Sequence, residues 1–298
     1  MSLDVKKITL VIYFLAFGIL PLKAQDSLLN QKNKRLNTLI YTSTIGYTAA
    51  MSGLSLAWYA DNWRGEFHFF DDSQEWLQID KIGHAYTTFH LTQAFAKALR
   101  WANIPPKKAN LHALWISTAA MTSIEILDGF SERYGASWSD WGANAGGAFL
   151  YWGQMALWNE VRLVPKFSFF PTPFAEQRPE LLGKNISQQW LKDYNGQTYW
   201  LSVDIDKFLP EKKFPRWLNV AVGYSAEQMI FAQYKQNTAV GLQPTRYYHL
   251  SLDWDLGAFK TKRGWLKAIL YIGNLIKLPA PTLRISERGD LDFFMWYF

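Results

Sequence analysis

Residues 248–256 read YHLSLDWDL, so apolar and polar side chains alternate along the whole stretch. A period of two is typical of a β-strand that has one apolar and one polar face. The polar face of such a strand ordinarily meets solvent, and His249 is therefore predicted to be a surface group. The stretch predicts that this part of the chain forms an antiparallel sheet.

Four neighbouring segments have strand-like patterns as well, and they are residues 198–205, 218–224, 282–287 and 291–298. A short helix is predicted at 264–277. A cluster of Pro and Phe at 165–174 precedes the first of these strands and indicates a boundary. Residues 165–298 are therefore predicted to form an antiparallel β region of about five strands with one short helix.

The preceding part of the chain has the patterning of helices, and four are predicted, at residues 36–59, 80–101, 108–127 and 137–160. Because residues 36–59 contain no charged side chain, this segment is a candidate for crossing a membrane. A fully buried helix of a bundle would be apolar all round in the same way. The predicted fold class is thus α+β, with an N-terminal bundle of about four apolar helices followed by the β region.

The first residues resemble a secretory signal peptide. Lys6 and Lys7 precede an apolar run at 8–22, and Ala24 offers a small residue before a cleavage site. We expect an exported chain that lies in the periplasm or at the outer membrane, associated with the cell envelope. The predicted domains are a signal peptide, a helical bundle and the β region, at residues 1–24, 25–164 and 165–298.

The composition excludes several classes of protein. The 298 residues include no Cys, which excludes disulfides, thiolate metal sites and a Cys nucleophile. For the same reason the chain is predicted not to be a lipoprotein. The formal net charge of +6 is spread without a long basic run, so nucleic acid is not an expected partner. The 15 Trp, 15 Tyr and 20 Phe suit a membrane interface or a domain seam, which makes a membrane the expected partner, with other envelope components as further candidates.

Three predicted helices each carry two polar residues three or four positions apart, which places each pair on one helix face. The pairs are Asp80 with His84, Glu125 with Asp128, and Asp140 with Asn144. If the three faces meet, they form an acidic pocket with one imidazole and with Lys81 close by.

Such a pocket could serve two kinds of chemistry. As a metal site it would bind a divalent cation through Asp80, His84, Glu125 and Asp140, with Lys81 and Asn144 as supporting groups. As an acid–base site it would use the same residues with Asp128, because close carboxylates raise one another's pKa and His84 could carry protons. The alternative is a buried hydrogen-bond network that fixes the helix register, with Ser137 and Asp140 serving as a helix cap.

Three motifs resemble the signature of a known family, and they are Asp80-Lys81-Ile82-Gly83-His84, Glu125-x-x-Asp128-Gly129 and Ser137-x-x-Asp140-x-x-x-Asn144. Through these motifs and residues 67–70 and 192–202, the chain resembles domain of unknown function 2279. Members of that family are described as predicted periplasmic proteins or lipoproteins of Bacteroidetes-type bacteria. The resemblance covers roughly residues 58–230, implies an envelope location and brings no established activity with it. The helical part also resembles VanZ-like membrane proteins, which would imply a small membrane bundle with an acid/His site at Asp80, Lys81, His84, Glu125, Asp140 and Asn144.

Two functional hypotheses follow from the sequence. The first is a membrane-associated protein of the bacterial envelope whose acidic/His pocket binds a cation or a polar ligand, with catalysis left open. The second is a non-enzymatic structural or interaction protein of the outer membrane, whose polar cluster is only a buried network.

Overall fold

A computed structural model describes residues 29–55, 66–209 and 214–298, and within them it contains nine α-helices and six β-strands. The predicted signal peptide at 1–24 lies outside the described residues. The described chain divides into two compact units. Unit 1 comprises the described residues up to 72 together with 87–156, and unit 2 comprises 73–86 and the described residues from 157 onwards. The predicted domain division at 164/165 stays a prediction.

Unit 1 is helical, and its helices are α1 (Leu29–Leu54), most of α2 (Ile79–Trp101), α3 (Pro106–Gly129) and α4 (Trp138–Leu157). The division between the units falls inside α2, between residues 86 and 87. Helix α3 begins with Pro106. The first N–H groups of a helix have no acceptor within it, so the N–H that Pro lacks is not needed there. At the start of α4, the Ser137 hydroxyl accepts a hydrogen bond from the backbone N–H of Asp140 at 3.1 Å, which confirms the predicted cap.

The prediction that the helices are apolar enough for a membrane is wrong. Among the described helices, none combines the length and the apolar composition that a bilayer crossing requires. In α1, the residues before the uncharged stretch include Lys34 and Arg35, and hydroxyl side chains interrupt the apolar ones. The hydroxyls of Thr38 and Thr42 donate to backbone carbonyls one turn earlier, each at 2.8 Å. The Thr and Ser content of residues 36–59 therefore argues against a membrane span more strongly than the absence of charge argues for one.

Unit 2 is built on a six-stranded antiparallel meander in which each strand pairs with the next in chain order. The strands are β1 (Leu163–Phe169), β2 (Gln197–Val203), β3 (Leu218–Glu227), β4 (Thr245–Trp254), β5 (Ala280–Ser286) and β6 (Leu291–Tyr297). The α+β class is confirmed, with one strand more than the five expected. The additional strand is β1, which lies at an edge of the sheet, where Pro165 needs no donor on the open side.

Short helices connect the strands of unit 2, and they are α5 (Phe174–Gln177), α6 (Pro179–Leu182), α7 (Ile186–Lys192), α8 (Tyr234–Ala239) and α9 (Gly264–Gly273). The last of these confirms the predicted helix at 264–277 over its first ten residues. The first part of the motif at 192–202 belongs to this connecting structure, and the motif continues into β2. Asn195 exchanges two hydrogen bonds with the backbone of Met229, and Asp193 accepts from Asn195 and Thr172. These contacts hold residues 193–195 against the segments that follow β1 and β3.

The alternating faces of the sheet are placed the opposite way from the prediction. On β4, His249, Ser251 and Asp253 are buried, whereas Leu250 and Leu252 between them are exposed. His249 is therefore not a surface group: its ring contacts Trp200, and its Nε2 lies 2.8 Å from the Ser225 hydroxyl. Alternation in the sequence indicated which residues share a face and left open which face meets solvent.

Candidate functional site

Two acidic residues of α3 lie three positions apart on one face of that helix. Glu125 is fully buried, and Asp128 is partly exposed near the C-terminal end. A carboxylate without solvent must be hydrogen-bonded, paired with a cation or protonated, because an isolated buried charge is very costly. The surroundings of Glu125 therefore decide what this part of unit 1 can do.

The facing residues come from the first two turns of α4. Asp140 and Asn144 are four positions apart and both buried. The Asn144 amide donates to Oε1 of Glu125 at 3.4 Å, and carboxylate oxygens of Glu125 and Asp140 lie within 4.8 Å of each other. On the other side of Asn144, the Thr88 hydroxyl of α2 donates to Oδ1 at 3.0 Å. The structure thus confirms that the predicted faces of α3 and α4 meet.

A third carboxylate joins from a loop that the sequence did not nominate. Asp72 accepts hydrogen bonds from the hydroxyls of Ser137, at 2.5 Å, and Ser139, at 2.8 Å. One of its carboxylate oxygens lies within 4.8 Å of one of Asp140. The carboxylates of Asp72, Glu125 and Asp140 and the Asn144 amide are called the acidic group below. No sequence signal beyond the adjacent acidic pair at 71–72 could have found Asp72.

Backbone pairing holds the Asp72 loop against the turn between α3 and α4. The N–H of His68 donates to the carbonyl of Gly129 at 2.8 Å, and His68 and Phe70 exchange two further bonds with Ala136, each at 3.0 Å. At Gly129 a side chain would overlap the ring of Phe67, which explains the need for glycine there. The aromatic motif at 67–70 therefore positions Asp72.

The electrostatic surroundings of Glu125 are almost wholly acidic. Burial has the largest effect on the pKa of Glu125, and together with the negative charges of Asp140, Asp128 and Asp72 it raises that pKa to about 9. Only a hydrogen bond from the backbone of Ser137 opposes them. At neutral pH Glu125 consequently holds a proton, unless a bound cation takes the proton's place.

The acidic group lies in a part of the chain that matches a protein family. Residues 66–152 match the DUF2279 family, described as predicted periplasmic lipoprotein. The match confirms the predicted resemblance over these residues. The searches of curated proteins and of solved structures found no match.

The DUF2279 description corrects one prediction. From the missing Cys, the chain was predicted not to be a lipoprotein, and this is contradicted by a family described as lipoproteins. The Cys content of the given sequence was not a sufficient ground for that exclusion. The periplasmic part of the description agrees with the expected location in the envelope.

The other residues predicted for the site are Asp80, Lys81 and His84, and they lie in unit 2. There Ile79 is buried in a cluster with Trp76, Leu77 and Met229, which fixes the first turn of α2. In this turn Asp80 and Lys81 form an ion pair at 2.8 Å. The meeting of Asp80, Lys81 and His84 with the acidic group stays a prediction.

A second buried polar group lies on the inner face of the sheet in unit 2, outside the DUF2279 segment. The Lys166 ammonium contacts the Asp253 carboxylate at 2.7 Å, and both side chains are almost completely buried. The Ser202 hydroxyl donates to the same carboxylate at 2.6 Å and accepts from Asn219 at 3.0 Å. This pair is not predictable from the sequence patterns, since Lys166 lies in β1, which has no strand-like pattern, and the polar faces of the strands were expected to meet solvent.

Chemically, the acidic group offers carboxylate and amide oxygens from three chain segments. Hard cations such as Ca²⁺, Mg²⁺ and Mn²⁺ prefer such ligands. The same arrangement with a proton on Glu125 is a hydrogen-bond network instead, because the protonated carboxyl can donate one hydrogen bond. The fold therefore permits a cation site and also a buried hydrogen-bond network. A cation neutralises Glu125 in the first case, and a proton does so in the second.

Proposed function

We propose that this chain is an envelope protein whose acidic group in unit 1 binds a divalent cation. Glu125 and Asp140 would be the main ligands, with Asp72 and Asn144 completing the oxygen set. The observation that carries the proposal is the complete burial of Glu125 beside Asp140, where the charged groups that raise its pKa are carboxylates. Bringing a divalent cation to these oxygens would relieve both the repulsion and the cost of burial.

The sequence prediction adds Asp80 and His84 as further ligands and Lys81 as a supporting group. We include them because their motif belongs to the same family signature as the motifs that contain Glu125 and Asp140. Imidazole in an otherwise oxygen-rich set would shift the preference from Ca²⁺ and Mg²⁺ towards Mn²⁺ or Zn²⁺. The identity of the preferred cation is thus a measure of whether His84 takes part.

Titration of the chelator-treated protein with Ca²⁺, Mg²⁺, Mn²⁺ and Zn²⁺, one at a time, tests the proposal by calorimetry. We expect one saturable site, and we expect Glu125→Gln and Asp140→Asn to weaken binding by roughly tenfold or more each, as loss of a charged ligand does. Glu132→Gln is the matched control, because Glu132 is an exposed carboxylate of the same unit. Folded protein that binds none of the four cations would exclude the proposal, and His84→Ala separates a carboxylate site from a carboxylate–imidazole site.

A structural network is the second candidate, favoured by the chain of hydrogen bonds from Thr88 through Asn144 to Glu125. In that case Glu125 is permanently protonated and the acidic group serves only to join α2, α3 and α4. Glu125→Gln would then keep the hydrogen bonds and leave both stability and cellular function unchanged, whereas the cation-binding function requires the carboxylate.

A further inference from the structure

The outer face of the sheet in unit 2 is apolar and exposed across four strands. Val222, Leu250, Leu283 and Phe293 are paired in register from β3 to β6, and each exposes between 40% and 60% of its surface. A neighbouring row continues this surface, and it consists of Tyr248, Ile285 and Leu291. We call these two rows the outer apolar face.

This exposure is the reverse of what an antiparallel sheet in water adopts, where the apolar face packs on the core. Here the inner face is polar and buried, with Asp253, His249 and Ser251 directed inward from β4. Contiguous exposed apolar surfaces of this size mark interaction sites. The outer apolar face therefore requires an apolar partner.

Helix α9 presents a second apolar surface in the same unit. It has no buried residue, and Trp265, Ile269 and Ile272 lie on one side of it at spacings of four and three positions. Asp255 accepts a hydrogen bond at 3.0 Å from Asn274, directly after α9. The helix is thus tied to the end of β4, where the exposed ring of Trp254 belongs to the outward side of the sheet.

Charge identifies the kind of apolar partner. Between residues 256 and 286 the chain contains no Asp or Glu. Four exposed basic residues lie at the start of this stretch, and they are Lys260, Lys262, Arg263 and Lys267. A short helix with an apolar side, an aromatic residue and adjacent basic residues is the pattern of interfacial binding to anionic lipid.

We propose that α9 and the outer apolar face dock unit 2 onto a bilayer that contains anionic phospholipid. The Trp265–Ile272 side of α9 enters the boundary between headgroups and acyl chains, and the four basic residues contact the lipid phosphates. The proposal is independent of cation binding in unit 1. It also requires no membrane-spanning helix.

Sedimentation of the full chain with lipid vesicles tests the proposal, with phosphatidylglycerol–phosphatidylcholine vesicles compared with phosphatidylcholine alone. We expect binding to the mixed vesicles and weaker binding to the neutral ones. Ile269→Glu should reduce the binding constant at least roughly tenfold, because a charge replaces an inserted side chain. Ile186→Glu is the matched control, since Ile186 of α7 is 57% exposed and Ile269 is 56% exposed.

Two further variants test the charge and the sheet separately. Joint replacement of Lys260, Lys262 and Arg263 by Glu should remove the preference for phosphatidylglycerol, whereas Lys184→Glu with Lys235→Glu should leave it in place. Phe293→Asp should weaken binding without a change in the near-ultraviolet circular dichroism of the folded protein.

Three results would overturn the proposal. The first is folded wild-type protein that stays in the supernatant with both kinds of vesicle. The second is an equal loss of binding for Ile186→Glu and Ile269→Glu. The third is a lipid-independent dimer that Ile269→Glu or Phe293→Asp dissociates, since that would assign the surface to a second copy of the chain.

Discussion

The two units bury polar side chains in opposite ways. In unit 2 the Lys166 ammonium lies against the Asp253 carboxylate, so the buried charges neutralise each other. In unit 1 the groups that shift the pKa of Glu125 by their charge are carboxylates, and each of them raises it. A proton or a bound cation can compensate such a group of like charges. From this difference we propose a structural role for the first group and the binding role for the second.

Burial acts on both units in the same direction, towards the neutral form of each group. In unit 2 burial lowers the pKa of Lys277 to about 8, with Asp253 opposing this shift and Lys166 adding to it. In unit 1 burial, with the neighbouring carboxylates adding to the shift, raises the pKa of Glu125 to about 9. We therefore predict that removing the charge of Asp253 destabilises unit 2, whereas removing the charge of Glu125 lowers the electrostatic repulsion in unit 1.

The largest effect is expected from Asp253→Asn, which leaves the buried Lys166 ammonium without its counter-ion. Removal of one partner of a buried ion pair costs about 3–5 kcal/mol in the free energy of unfolding. Urea denaturation measures this loss. Glu180→Gln is the control, because Glu180 pairs with Arg178 in a more exposed ion pair whose loss costs at most about 1 kcal/mol.

The double variant Lys166→Met with Asp253→Leu sharpens this test. Replacing both charges by apolar side chains of similar size should recover most of the lost stability. If the Asp253→Asn and Glu180→Gln proteins are equally stable, the Lys166–Asp253 pair contributes no more to stability than an exposed ion pair. The contrast with the acidic group would then be wrong.

A pH-dependent effect, smaller per pH unit than the loss expected at Asp253, is expected at Glu125 in chelator-treated protein. The folded-state pKa of about 9 lies above the unfolded value of about 4.3, so folding retains a proton that the unfolded chain releases between these values. The stabilisation is complete below about pH 4 and is lost as the pH rises through about 9. Over this window the free energy of unfolding falls by up to about 1.4 kcal/mol per pH unit.

Glu125→Gln should flatten this dependence, and urea denaturation across the pH range measures the difference between the two proteins. Glu132→Gln should keep the wild-type slope. An unchanged slope in Glu125→Gln would mean that Glu125 is ionised in the folded protein, and the contrast between the units would then rest on geometry alone.

The smallest effect is expected from Ser137→Ala. The Ser137 hydroxyl accepts from the Asp140 N–H and donates to Asp72, so its loss should cost about 1 kcal/mol, as removal of a helix cap does. Thermal or urea unfolding measures the change. Ser139→Ala, which removes only one of the hydroxyls that donate to Asp72, should cost about 0.5 kcal/mol. Equal losses would contradict the capping role.

Local patterns in the sequence predicted most of the elements. The alternation at 248–256 located β4, and the polar pairs Glu125 with Asp128 and Asp140 with Asn144 located the core of the acidic group. β1 escaped prediction because an edge strand tolerates Pro165, which reads as a boundary residue in a sequence. The direction of the strand faces could not be predicted, because a period of two does not state which side is covered.

Asp72 escaped for a related reason. It is 65 residues from Ser137, and no helical or strand period connects the two positions. Glu125 and Asn144 are only 19 residues apart, on helices joined by a short turn. The sequence therefore predicted those members of the acidic group that local structure brings together and missed the one that depends on tertiary contact.

The same separation in sequence sets the order in which the acidic group can assemble during folding. The α3–α4 hairpin closes a short loop and forms early, because local contacts lose less chain entropy. The His68–Phe70 segment can pair with Gly129 and Ala136 only when both ends of the turn are in place. We therefore expect Asp72 to join the acidic group last, so that in a folding experiment substitutions at residues 68–70 accelerate unfolding and leave the folding rate almost unchanged.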